Sequence, residues 1–161
     1  MPNDRPDKKP NDKPDHPGVI APPPLIYLGF LGVGYPLGSA WPLAFPPQRW
    51  LALALVGIGV IIALAAISQF RKAKTHVVPH KPTTAIITGG PFAYSRNPLY
   101  LTLALFHGAI ALAWGNVWAL LLLFPALLVI RYGVIAREER YLEAKFGAEY
   151  LAYQGRVRRW L

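Results

Sequence analysis

The sequence predicts an all-α integral membrane protein. It reads as a helical bundle of four transmembrane helices, with a helical hairpin between spans three and four and a cytoplasmic amphipathic helix after them. Three observations carry that reading. Of the 161 residues, 53% are apolar and only 16% charged. The charges avoid three long runs: positions 17–48, 51–70 and 98–130 contain no Lys, Arg, Asp or Glu. A bilayer core needs about 20 apolar residues per helix at a rise of about 1.5 Å each, and these runs suit that length better than a soluble core of this size. Finally, the basic residues flank the runs, as membrane topology requires.

Taken in order, residues 1–18, "MPNDRPDKKPNDKPDHPG", mix charges with five prolines and lack apolar periodicity, so they form a disordered polar tail. Residues 19–161 form a single membrane domain. The first span covers about 25–42, after Pro22, Pro23 and Pro24. With further spans behind it, it reads as retained rather than as a cleaved signal. Its Gly29, Gly32, Gly34 and Gly38 indicate close helix packing; a nucleotide loop would need a preceding strand and a following Lys-Ser/Thr. The second span, about 51–70, ends in Arg71, Lys72 and Lys74, and a polar connection runs from there to residue 97.

The run 98–130 has 33 residues and, as one helix, would reach about 50 Å, against a hydrocarbon core of roughly 30 Å. Trp114-Gly115-Asn116 supplies a turn in the middle. The third span is therefore about 98–113 and the fourth about 117–136, with Pro125 as a kink and Arg131 snorkelling to the inner surface. Residues of about 137–154 follow as the amphipathic helix, with Leu142, Phe146 and Tyr150 four apart.

Charge tests this count. With four spans, the tail, the 71–97 connection and the C-terminal part share one side and hold four, five and seven of the 17 Lys and Arg residues; the remaining one is Arg49. That asymmetry puts both ends in the cytoplasm. Trp41, Trp50, Trp114 and Trp118 all fall at the opposite interface. The formal charge of +9 belongs to this topology, so no nucleic acid partner is called for. The absence of cysteine excludes disulfides, thiolate nucleophiles and Cys-ligated metals, and no motif asks for a metal.

Acidic residues are sparse. None lies between Asp15 and Glu138, and Glu139, Glu143 and Glu149 follow. On a solvated helix face Glu139 and Glu143 would pair with Arg140 or Lys145. The hairpin offers another arrangement. Folding at Gly115 pairs positions whose numbers sum to about 230, so Arg96 comes level with residue 134 and Glu138 sits one turn, about 6 Å, beyond. Arg96, Asn97, Tyr100, Glu138 and Glu139 thus cluster at one cytoplasmic mouth. A cation and carboxylates in a low-dielectric mouth suit a zwitterion such as an amino acid head group, arginine for its carboxylate and glutamate for its ammonium or for ribose hydroxyls. His76 and His80 are candidate bases, with a solvated loop as the plainer reading. His107, inside the third span, is either functional or a helix-to-helix hydrogen bond. Arg156, Arg158 and Arg159 read as anchors for anionic head groups.

"GPFAYSRNPLYL" followed by "REERYLEAKFGAEYLAYQGRVRRW" resembles the isoprenylcysteine carboxyl methyltransferases and their relatives, the bacterial phospholipid N-methyltransferases. Their pattern of Gly-Pro-Tyr, Arg-His-Pro-x-Tyr, a hydrophobic hairpin, Glu-Glu-x-x-Leu and Phe-Gly-x-x-Tyr-x-x-Tyr corresponds to Gly90-Pro91-Phe92, Arg96-Asn97-Pro98-Leu99-Tyr100, Glu138-Glu139 with Leu142, and Phe146-Gly147 with Tyr150 and Tyr153. The likeness covers residues 84–160 and is specific in its order. It implies a membrane enzyme of the bacterial inner membrane that binds S-adenosylmethionine and takes a lipophilic substrate, prenylated or lipid, from the bilayer. On the matched positions it implies Arg96 and Glu139 as the catalytic pair, Asn97, Tyr100, Glu138 and Tyr94 at the cofactor, and Pro98 at the helix start. Asn97 stands where the family has histidine and Phe92 where it has tyrosine. Methyl transfer from a sulfonium is an in-line displacement that needs mainly orientation and exclusion of water. A carboxylate acceptor needs only positioning, by Arg96 or Arg137, whereas an amine must lose a proton. Carboxyl methylation of an isoprenylcysteine-type substrate is the leading expectation and phospholipid N-methylation the alternative. An NAD(P)H-dependent enzyme of sterol-reductase type and a non-catalytic membrane module complete the field.

Overall fold

The computed structural model describes residues 16–74 and 84–161, and all regular structure among them is helical. Helix α1 (Pro23–Ala40) is followed by α2 (Arg49–Lys72), a short 3-10 turn at Gly90–Ala93, and α3 (Pro98–Trp114). Then come α4 (Val117–Leu121), α5 (Leu123–Val129), a π-helical stretch at Ile130–Ile135, α6 (Ala136–Phe146) and α7 (Ala148–Gln154). The rod Val117–Phe146 and α2 are long and apolar enough to cross a membrane; α3 is apolar but shorter.

The packing partners fix the directions. Gln48 donates its backbone N–H to the Leu112 carbonyl at 2.9 Å, and Thr102 Oγ1 donates to the Gly59 carbonyl at 3.4 Å, so α2 runs antiparallel to α3. Gly34 lies against Ala119, and the Ile20 N–H reaches the Gly133 carbonyl at 3.3 Å, so α1 runs antiparallel to the fourth rod. One end of the bundle therefore gathers residues 20–24, the end of α2, the start of α3 and α6. The other gathers the 41–48 loop and the hairpin tip.

Local chemistry explains the tip. Gly115 closes α3 in the left-handed region at φ 63°, where a Cβ would stand 2.3 Å from the Phe45 carbonyl. Asn116 caps α4 by accepting the Ala119 N–H, and its Nδ2 donates to the Gly34 carbonyl at 3.1 Å. Lipid offers no hydrophobic drive to helix association, so close approach at small residues has to supply it. Gly34 and Gly38 do this against Ala119 and Asn116, whereas Gly29 and Gly32 face open space. The close-packing role expected of all four glycines thus belongs to two.

Three further expectations are refined or corrected. The expected fourth span, about 117–136, is interrupted at Leu122, near the kink expected at Pro125, whose missing N–H removes a helical bond; it also widens to a π turn at Ile130–Ile135 and runs on to Phe146. The amphipathic helix of about 137–154 is two helices, because Gly147 adopts φ 53° and ψ −125°. Residues 16–18, assigned to the tail, reach the fourth rod: Arg137 Nη1 donates to the Gly18 carbonyl at 2.9 Å. The rest of the tail, and His76 and His80, lie outside the described residues.

Candidate active site

The polar mouth is built at the joint of α3 and α6. Pro98 has no N–H to lose and its ring presets φ, so α3 starts there and Asn97 occupies the cap position. Just before it the chain bends at Arg96, which lines the cavity. From the other side the π turn carries Glu138 and Glu139 round to face it.

Arg96 Nη2 pairs with Glu139 Oε1 at 2.9 Å, and Glu139 is only 7% exposed. Arg159 closes on the same carboxylate, with Nε 3.1 Å from Oε1 and Nη2 on Oε2. Tyr100 donates its hydroxyl to Glu138 Oε1 at 2.6 Å. Arg96 Nη1 reaches the Gln154 carbonyl at 3.5 Å, and its Nε is buried with no hydrogen-bond partner. An unpaired guanidinium donor costs free energy unless a ligand or water takes it. Burial pushes the Tyr150 hydroxyl up, with the Glu139 charge adding to it; burial also pushes Tyr153 up to about 12, against the pull of Arg96. Both phenols therefore stay neutral, and Tyr153 donates to the Phe92 carbonyl at 2.7 Å.

These groups head a cavity of about 580 Å³. Its polar end holds Arg96, Asn97, Glu138, Glu139, Tyr150 and Tyr153. Its apolar arm runs along α3 past Leu99, Leu103 and Phe106, against Ala63 and Phe70 of α2. The volume lies in the range of small-molecule sites, about 300–1,000 Å³. A chamber with both charge signs at one end and an oily wall at the other can hold a zwitterion beside a lipid.

The sequence-predicted residues divide. Arg96, Glu139, Glu138, Tyr100, Asn97 and Pro98 all line the cavity. The Asn97 side chain is partly committed, its Nδ2 donating to the Arg159 carbonyl at 2.9 Å. Tyr94 is 78% exposed and does not line the cavity. Glu139 pairs with Arg96 and Arg159 instead of Arg140 or Lys145, and Glu143 accepts from Gln154 Nε2 at 2.8 Å. His107 proves to be the helix-to-helix bond: it is 1% exposed, with Nε2 2.8 Å from the Ala119 carbonyl and its ring edge-on to Tyr27. Arg159 was missed. It sits among three arginines of one basic cluster, and only contacts between distant parts of the folded chain single it out.

A comparison with protein families matches residues 47–149 to the phospholipid methyltransferase family. An uncharacterized protein of Haemophilus influenzae is 51% identical over 63 residues, which is 39% of this chain and 100% of that protein. No solved structure matches.

Proposed function

This chain belongs to the phospholipid methyltransferase family, and on that premise we propose that it transfers a methyl group from S-adenosylmethionine to a lipid acceptor at the membrane. The observation that carries this reading is the buried, unpartnered Arg96 Nε beside the Arg96–Glu139 pair, at the head of a cavity with an apolar arm. That atom fits the carboxylate of an amino acid head group. When bound, S-adenosylmethionine supplies an electrophilic methyl on a sulfonium, and the remaining work is orientation and exclusion of water.

The family favours a phospholipid head-group amine as acceptor over the isoprenylcysteine carboxylate. An amine must lose a proton as its lone pair forms the new bond. Glu139 is spent on two guanidiniums, so Glu138, held by Tyr100, is the carboxylate to receive it. The acyl chains lie along Leu99, Leu103 and Phe106. We further propose that residues 19–161 are one membrane domain crossing four times in the bacterial inner membrane, with the mouth on the cytoplasmic side, as the basic flanks require.

The test is calorimetric titration of the purified protein with S-adenosylmethionine, S-adenosylhomocysteine and NADPH, beside Arg96→Ala and Glu139→Ala. Binding of the first two, lost in both variants, supports the proposal; preference for NADPH supports a reductase. Labelled methyl transfer to phosphatidylethanolamine or to a prenylcysteine then separates the acceptors.

A further inference from the structure

Residues 156–161 leave α7 and fold back across the start of α3. The Arg96 N–H donates to the Arg158 carbonyl at 3.0 Å. The Arg159 carbonyl accepts from Asn97 Nδ2 at 2.9 Å and from Ser95 Oγ at 3.4 Å. Trp160 packs against the core around Ile130 and Val134. Anchored on both sides of position 159, this strap turns one arginine of three into the mouth while Arg156 and Arg158 stay exposed.

We propose that Arg159 is a positioning residue, whose grip on Glu139 keeps Arg96 free to bind the carboxylate of the amino acid head group. The inference rests on the S-adenosylmethionine reading above. The physical reason is competition for one buried carboxylate. Arg159 takes Glu139 Oε2 and shares Oε1, so Arg96 makes a single contact with Glu139, through Nη2, and retains Nε. Guanidinium and carboxylate prefer a two-pronged pair when both are available. Without Arg159, Glu139 Oε2 has Arg96 as its nearest cation, and Arg96 rotates to close that fork. The donor the ligand carboxylate needs is then consumed inside the protein. Arg159 also supplies the second positive charge that lets a mouth with two glutamates accept an anionic group.

The experiment compares two ligands on the full chain by calorimetry: S-adenosylhomocysteine, and 5′-methylthioadenosine, which keeps the adenosine and thioether but lacks the amino acid. Arg159→Ala is expected to lose tenfold or more in affinity for the first and to stay within twofold for the second, with Arg159→Lys recovering part of the loss. A merely structural strap would weaken both ligands alike, so parallel losses, or no loss, overturn the proposal. If Arg159→Ala does not fold, Trp160→Ala loosens the strap while keeping the guanidinium. It is expected to show the same selective loss, and equal effects on the two ligands again overturn the proposal. A wild-type protein that binds neither ligand removes the methyltransferase reading and this inference with it, whereas a wild type that binds both and an indifferent Arg159→Ala removes this inference alone.

Discussion

Glu139 carries two guanidiniums on one buried carboxylate. Removing one partner of a buried ion pair strands the other, at up to about 3–5 kcal/mol. Glu139→Ala is therefore expected to lower the melting temperature in detergent as well as to abolish cofactor binding. The double variant Arg96→Ala with Glu139→Ala should regain part of the stability and none of the binding, which a double-mutant cycle on the two readouts resolves. Tyr100→Phe removes the donor on Glu138 and leaves the ring. It should lower kcat for an amine acceptor on the order of tenfold, about 1.4 kcal/mol, with KM little changed. A carboxylate acceptor, which sheds no proton, should lose far less, so the ratio of the two losses checks the assignment of Glu138.

At the scale of elements, the contact of α1 with the fourth rod depends on two glycines. A Cβ at Gly34 would stand 2.7 Å from the Ala119 Cα, and one at Gly38 would stand 2.2 Å from Asn116 Nδ2. Gly34→Ala must push two backbones apart and should cost about 1–3 kcal/mol in thermal melts. Gly29→Ala, on the open face of the same helix, should be neutral or stabilising by up to about 1 kcal/mol through helix propensity. The pattern of four glycines announced close packing but did not say which pair makes it, because a helix buried by a neighbour on one side and by lipid on the other shows little contrast between its faces. The split of the C-terminal helix had a visible signal in Gly147. The π turn had none: Ile130–Ile135 mixes apolar residues with Arg131 and Gly133 in no pattern that marks a wider turn, and the extra residue per turn is a response to what packs around it.

For the molecule as a whole, the basic flanks and the hairpin make one prediction about sidedness. The chain has no cysteine, so single replacements label cleanly. Tyr94→Cys and Arg158→Cys, both at exposed positions of the mouth end, should react from the cytoplasmic side, and Trp50→Cys, at an exposed position of the other end, from the opposite side. Labelling of positions 94 and 158 from different compartments would dismantle the four-span arrangement and the site with it.

By itself, the sequence determined that the chain is helical and apolar, where it turns at Gly115, and which ordered set of polar residues marks the family. These properties are local: run length, a turn glycine, and residues read in order. The tertiary structure decided which of three arginines enters the mouth, that Glu139 answers to two of them, that Asn97 spends its amide on a strap, and that His107 holds two helices together. Those outcomes depend on a rotation introduced at the π turn and on a segment folding back across some 60 residues of chain, from Arg159 to Asn97. Distance along the chain carries no record of either, because the energy that selects them lies in contacts made only once the helices have packed.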